Sequence, residues 1–306
     1  MPAWDDLLDE IKSQDSPHDT VRRKHLKLLS EHTGRNTIAY YSGWMQKAAL
    51  QDYPNVNFGI SDEDKNGFMA TVYKLDRDKG LDLFLHTPGG DIAATESIVR
   101  YLRSMFGTDI RAIIPQQAMS GGTIMALSCK SIVLGKGSSI GPIDPQMNGM
   151  ALTGVLKEFD RIKAEIATNP ANALVWQHVL QKITPGFITE CDNVIKWSTE
   201  MATEFLSSNM FNDEKECRAK AKARAVVRKL TEKSIVRTHG RQIALEEAKD
   251  IFGDKIIPLE ENQDLQDLVL SVHHATMITL QQTGTCKLIE NQNGRAHILM
   301  ASPVGQ

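Results

Sequence analysis

The sequence predicts an α/β fold with a mostly parallel sheet, a helical insertion and a helical C-terminus. Three observations predict it. Short β-branched or apolar runs recur through the first half: TIAYY (37–41), LDLFLHT (81–87), IRAIIP (110–115) and SIVLGK (131–136). Helical periodicity separates them, and strands alternating with helices at short spacing pair in parallel through crossovers. From about residue 150 to residue 233 the strand pattern stops and only helical periodicity remains, broken at Asn169-Pro170 and Pro185-Gly186.

The elements follow in order. Residues 1–34 read as a helical lead-in, with apolar positions at Leu7, Leu8 and Ile11 and then Val21, Leu26 and Leu29. The run 37–41 is a first strand because it is β-branched and aromatic. Ser61 is an N-cap for a helix beginning SDEDKNGFMATV, and its acidic first turn suits a helix N-terminus. The strand 81–87 stops at Pro88-Gly89-Gly90, and the helix after it carries Ile92, Ile98, Val99, Leu102 and Met105 on one face. Strand 110–115 leads through QQAMSGG into the apolar helix TIMALSC, and strand 131–136 leads into the loop GSSIGPIDPQMNG. Late in the chain ALEEAKDIF is a helix, Ile256-Ile257 a short strand, Asp264 to Leu280 a long final helix, and the polar stretch after Gly284 a loosely ordered tail. The organisation is therefore a lead-in (1–34), a core (35–150), a helical insertion (151–235), a C-terminal completion of the core (236–283) and a tail (284–306).

Composition narrows the function. With 41% hydrophobic and 24% charged residues the chain is of ordinary globular type, and a net charge of -3 gives no reason to expect a nucleic-acid partner. The basic run in 213–233 holds eight lysines and arginines, but acidic residues flank it and no aromatics interleave, so it reads as a solvated helix face or subunit contact. No apolar stretch reaches the roughly 20 residues of a membrane span. The acidic, polar start lacks the pattern of a secretory signal, so a cytoplasmic location is expected. Cys129, Cys191, Cys217 and Cys286 are dispersed, without a CxxC pair, and read as reduced thiols rather than a zinc site. No metal or other cofactor is expected. No GxxxxGK[ST] is present, so the chain carries no ATPase of its own.

Two turns carry the chemistry. His86-Thr87-Pro88-Gly89-Gly90-Asp91 ends a buried strand and opens a helix. Its glycines leave backbone N–H groups bare where negative charge is favoured, for a phosphate or an oxyanion. Ala118-Met119-Ser120-Gly121-Gly122 stands at the corresponding point of the next strand–helix unit. A serine there most often caps the helix. Paired with the first turn it acquires another role, because functional groups of a parallel sheet gather beyond the carboxyl ends of its strands. Ser120 is then a nucleophile, with Gly90 and Gly121 N–H groups as the oxyanion hole.

FLHTPGGDIAATESIVRYLR resembles the oxyanion-hole segment of Clp-type peptidases and of signal peptide peptidase A. AMSGGTIMALSCKSIVLGKGSSIGPIDPQ resembles their nucleophile segment, and ALEEAKDIFGDKII their late EEA element. With GRNTIAYY, LHTPGG, GPIDPQ and THGRQIALEEAK the chain is most similar to the serine dehydrogenase proteinase family, over about residues 33–280. The resemblance implies a Clp/crotonase-like spiral and hydrolysis of peptide or unfolded-protein substrates through an acyl-enzyme. It also implies a homo-oligomer, with a separate unfoldase needed for folded substrates.

The base that activates Ser120 is left open. In Clp-type peptidases it is a histidine in the loop after the strand that follows the nucleophile helix. Here that loop holds Asp144 instead, and Thr238-His239-Gly240 stands where the acid is expected. One arrangement exchanges the partners, with His239 as base and Asp144 as its orienting carboxylate. A second is a serine–lysine dyad using Lys157 or Lys163. His86 is a third candidate, with a structural role the stronger reading, and His273-His274 reads as solvent or interface material. Two rival functions share the fold: a crotonase-type acyl-CoA enzyme, and an inert oligomeric scaffold.

Overall fold

In the computed structural model, which describes residues 17–53, 56–147, 149–236 and 240–301, a seven-stranded sheet is flanked on both faces by helices. The first half alternates as expected. Helix α1 (Pro17–Thr33) leads into β1 (Asn36–Ser42) and α2 (Asp62–Val72) into β2 (Leu81–His86). Helix α3 (Ile92–Phe106) precedes β3 (Ile110–Ile114), and a short β4 (Gln117–Ala118) precedes α4 (Gly121–Leu127) and β5 (Ser131–Leu134). Strand β10 (Ile256–Pro258) joins the far edge, so that β10, β5, β3, β2 and β1 run parallel in that spatial order.

The period of two along each strand divides the core. Tyr40, Leu83, Leu85, Ala112, Ile114 and Leu134 face one way, into the larger apolar cluster. Tyr41, Phe84, Ile113 and Val133 face the other way, where Leu26 and Leu29 of α1 meet Val269 and Val272 of α10 (Gln263–Gln282). Both faces are buried, which is why the central strands read as continuous apolar runs.

The stretch after Gly284 corrects the expectation of a loose tail. Strands β11 (Thr285–Asn291) and β12 (Ala296–Met300) form a hairpin, and β11 lies between β1 and β12, antiparallel to both. Every residue of β11 is buried, including Lys287, Glu290 and Asn291. The Lys287 ammonium donates to the Gly59 carbonyl at 2.6 Å and pairs with buried Asp64 at 3.0 Å. Glu290 accepts from Arg22 and Arg23, and Asn291 donates to the Thr71 carbonyl at 2.6 Å. Polar residues whose partners lie more than 200 positions away hide a buried strand from any local pattern.

A small sheet builds the ground around the site. Strand β6 (Ser139–Ile140) pairs in parallel with β4 and antiparallel with β9 (Ile243–Ala244), and the short strands β7 (Gln146–Met147) and β8 (Met150–Ala151) pair antiparallel with each other. Helices α5 (Leu152–Thr168), α6 (Asn172–Leu180), α7 (Phe187–Phe205) and α8 (Glu216–Val236) make up the insertion, and α9 (Leu245–Phe252) follows β9. Met201, Ala202 and Phe205 of α7 and Ala223, Val227 and Leu230 of α8 enter the larger cluster, so these two helices belong to the core. The basic run lies on α8, where Lys220 pairs with Glu216 and Lys222 with Glu214, as a solvated face should.

Candidate active site

The two glycine turns meet beyond the ends of β2 and β3. Parallel bridges join Thr87 to Ala118 and Ile60 to Gly90, so the segment before α2 also enters the site. The Met119 N–H donates to the Thr87 carbonyl at 3.0 Å and the Ile60 N–H to the Gly89 carbonyl at 2.7 Å. The approach is too close for side chains. A Cβ on Gly89 (φ +96°) would lie 2.6 Å from the Ser120 Cβ, and one on Gly90 would lie 2.1 Å from the Ile60 nitrogen. A Cβ on Gly121 would lie 3.4 Å from the Gly90 nitrogen, which sets these two residues side by side. Neither the Gly90 nor the Gly121 N–H is engaged by an acceptor among the described residues.

Ser120 occupies the N-cap position of α4, yet it does not behave as a cap. Its backbone sits at φ 50°, ψ -114°, and its side chain makes no capping hydrogen bond. A non-glycine residue in that region stores about 1–3 kcal/mol of strain, held only where the surroundings over-determine it. The sharp strand-to-helix turn leaves the hydroxyl uncommitted to capping, and Ser120 is half-buried and lines a cleft of about 330 Å³. Helix α4 spans seven residues, all buried, so the local polarity comes from the bare N–H groups rather than from a long helix dipole.

Gly90, Ser120 and Gly121 line that cleft together. Ile124 and Ile143, 3% and 2% exposed, form an apolar floor, and Glu190, Val194, Trp197 and Ser198 of α7 form a wall. The Ser198 hydroxyl donates to the Ile143 carbonyl at 3.1 Å and pins the wall to the loop. This wall and Ile60 were missed by sequence reasoning. Positions 190, 194 and 197 share a helical face, which is a legible signal, but nothing local says that the face meets Ser120. The Ile60 contact is a bridge between distant segments and leaves no pattern.

The candidates for the base are placed as follows. His239 lies outside the described residues. Asp144 is 1% exposed, between Ile143 and Pro145, which both line the cleft. Lys157 and Lys163 are exposed on α5, outside the cleft lining, and Lys163 pairs with Asp160 at 3.0 Å. Neither has the desolvation that a lysine base requires, which removes the premise of the dyad. His86 is fully buried on the opposite side of β2 from Leu85, stacked on Trp44 and Tyr41 with ring centroids 4.5 and 5.4 Å away. Burial pushes its pKa down to about 3, so it is a neutral packing residue. His273 corrects the surface reading: it is 7% exposed, and its Nδ1 meets the Tyr41 hydroxyl at 3.2 Å. Among the described residues, the titratable side chains that line the cleft are Asp91 and Glu190. The Asp91 carboxylate caps α3 by accepting from the Ala94 N–H at 2.8 Å.

A family model described as ClpP-like SDH-type serine proteinase matches residues 12–262. Among curated proteins, the uncharacterized protein MJ0137 of Methanocaldococcus jannaschii is 27% identical over 231 residues, covering 75% of this chain and 72% of its own length. The uncharacterized protein MJ1495 of the same organism is 33% identical over 102 residues, which is 33% of this chain and 35% of its own length.

Proposed function

The chain belongs to the ClpP-like SDH-type serine proteinase family, and from that premise we propose that it is a serine peptidase acting through an acyl-enzyme on Ser120. One observation carries the reading. A strained serine, its hydroxyl not spent on capping, faces a cleft beside two unengaged N–H groups, Gly90 and Gly121. Ser120 Oγ attacks the carbonyl carbon of the scissile bond, and the two N–H groups stabilise the charge that develops on the carbonyl oxygen. The base takes the Oγ proton and gives it to the leaving amine. Water, deprotonated by the same base, then hydrolyses the ester and restores Ser120.

His239 is the proposed base and Asp144 the carboxylate that orients it. The support is topological. Strand β9 pairs antiparallel with β6, Ile243 opposite Ile140. The chain just before Ile243 therefore runs beside the chain just after Ile140, which leads to Asp144. Oligomerisation, a separate unfoldase for folded substrates and a cytoplasmic location are part of the proposal. Consistent with it, no helix among the described residues is long and apolar enough to cross a membrane.

The acyl-CoA alternative is disfavoured by charge. Asp91 and Glu190 line the cleft, and a polyanionic coenzyme would face both. The scaffold alternative gives no reason to hold Ser120 at positive φ. A fluorophosphonate probe separates the three. The expected result is a single adduct on Ser120, located by mass spectrometry and lost in Ser120→Ala. An unlabelled Ser120 in the assembled protein rejects the hydrolase reading. If His239→Ala keeps full peptide hydrolysis, the proposed base is wrong.

A further inference from the structure

The same cleft carries a pattern of charge that neither the nucleophile nor the oxyanion hole uses. On α7, Glu190, Val194 and Trp197 fall within a stripe of about 60° at 100° per residue. Val194 and Trp197 extend the apolar surface made by Ile124 and Ile143, next to Ser120. Glu190 continues the stripe toward the start of the helix, about 10 Å along the axis from Trp197 at 1.5 Å per residue. Of the other acids of α7, Asp192 pairs with Lys196 and Glu204 with Arg100 at 3.0 Å, while Glu200 lies outside the cleft lining. The exposed Glu190 carboxylate has no cationic partner among the described residues, although it lines the cleft. The lining holds no lysine, arginine or histidine among the described residues, so Asp91, which also lines the cleft, adds to the same sign of field.

We infer that this cleft selects a peptide that seats an aliphatic or aromatic side chain between Ile124, Ile143 and Trp197 and presents a cationic group to Glu190. The cation is a lysine or arginine side chain or a free N-terminal amine. The inference rests on the peptidase reading for its chemistry, but the binding preference is testable apart from it. A neutral apolar seat beside an unpaired carboxylate gives two-point recognition: burial supplies affinity, and the charge supplies discrimination among peptides.

The test uses the Ser120→Ala protein and fluorescein-labelled octapeptides with a central leucine, flanked by lysine, norleucine or glutamate. Binding is read by fluorescence anisotropy. The lysine peptide is expected to bind about two- to fivefold tighter than its norleucine counterpart, the range of an exposed ion pair, and the glutamate peptide weaker still. Glu190→Gln should remove most of that preference, and about 0.5 M salt should shrink it in the unsubstituted cleft. Equal affinities for the lysine and norleucine peptides, or a preference that survives Glu190→Gln, overturn the inference, as does failure of every peptide to bind. Fluorophosphonate labelling of Ser120 in the native protein is scored separately. Labelling without a charge preference overturns this subsite alone. A charge preference without labelling overturns the peptidase reading and supports the subsite.

Discussion

Ser120 provides the sharpest test because two substitutions with the same effect on chemistry have opposite effects on strain. Ser120→Ala removes the hydroxyl but keeps the Cβ, and so keeps the cost of φ 50°, ψ -114°. Ser120→Gly removes both. The strain is about 1–3 kcal/mol, and glycine returns about 0.4–1 kcal/mol of it through the greater freedom of the unfolded chain. The net advantage of glycine over alanine is about 1–2 kcal/mol, or about 1.5–3 °C in Tm at this chain length. The assay is thermal unfolding by circular dichroism of the two variants and the parent under one buffer and concentration. Both variants should lose fluorophosphonate labelling, and only Ser120→Gly should melt above the parent. If Ser120→Gly melts no higher than Ser120→Ala, the turn stores no strain and the argument that it exists to present a nucleophile fails.

Two further outcomes follow from the same geometry. Gly90→Ala would drive a Cβ to 2.1 Å from the Ile60 nitrogen, so the turn must move and its N–H with it. The expected loss is about 10²–10³ in kcat, that of one oxyanion donor, and a variant with unaltered kcat for peptide hydrolysis rules Gly90 out of the oxyanion hole. His86 predicts a pH effect on stability. Burial lowers its pKa from 6.5 to about 3, so between those values the unfolded chain binds a proton that the folded chain does not. The stability it contributes is complete above pH 6.5 and is lost as the pH falls toward 3, by about 2 kcal/mol at pH 5. His86→Phe should flatten the fall in Tm between pH 7 and pH 5, and an unchanged slope counts against this assignment.

The parallel strands were legible because both their faces are buried. Runs such as Leu81 to Leu85 need no partner to be recognised, and Ser61 and the Pro185-Gly186 break announce helix ends through local backbone chemistry. Strand β11 was not legible. Lys287, Glu290 and Asn291 carry the polarity of a tail, and only their distant partners Asp64, Arg22 and Thr71 turn them into core. His273 was misread for a related reason. A histidine pair on a helix looks solvated until Tyr41, on a strand far away in sequence, closes over one of them.

At the site the division is sharper. Two glycine turns, each after an apolar run, are written in the sequence, and they alone single out Ser120, Gly90 and Gly121. The sequence could not decide whether Ser120 is a cap or a nucleophile, since both begin as a serine before a helix. The tertiary structure decided the conformation. Contacts from Gly89 and Ile60, far from Ser120 in the chain, hold the two turns together, and Ser120 stands at positive φ on the cleft lining with its side chain not spent on capping. It also decided what surrounds that residue. The apolar and acidic wall of α7 reaches Ser120 only because the insertion folds back onto the core through Met201, Ala202 and Phe205. Local propensity determines where a turn occurs, and packing between distant segments determines which atoms that turn presents.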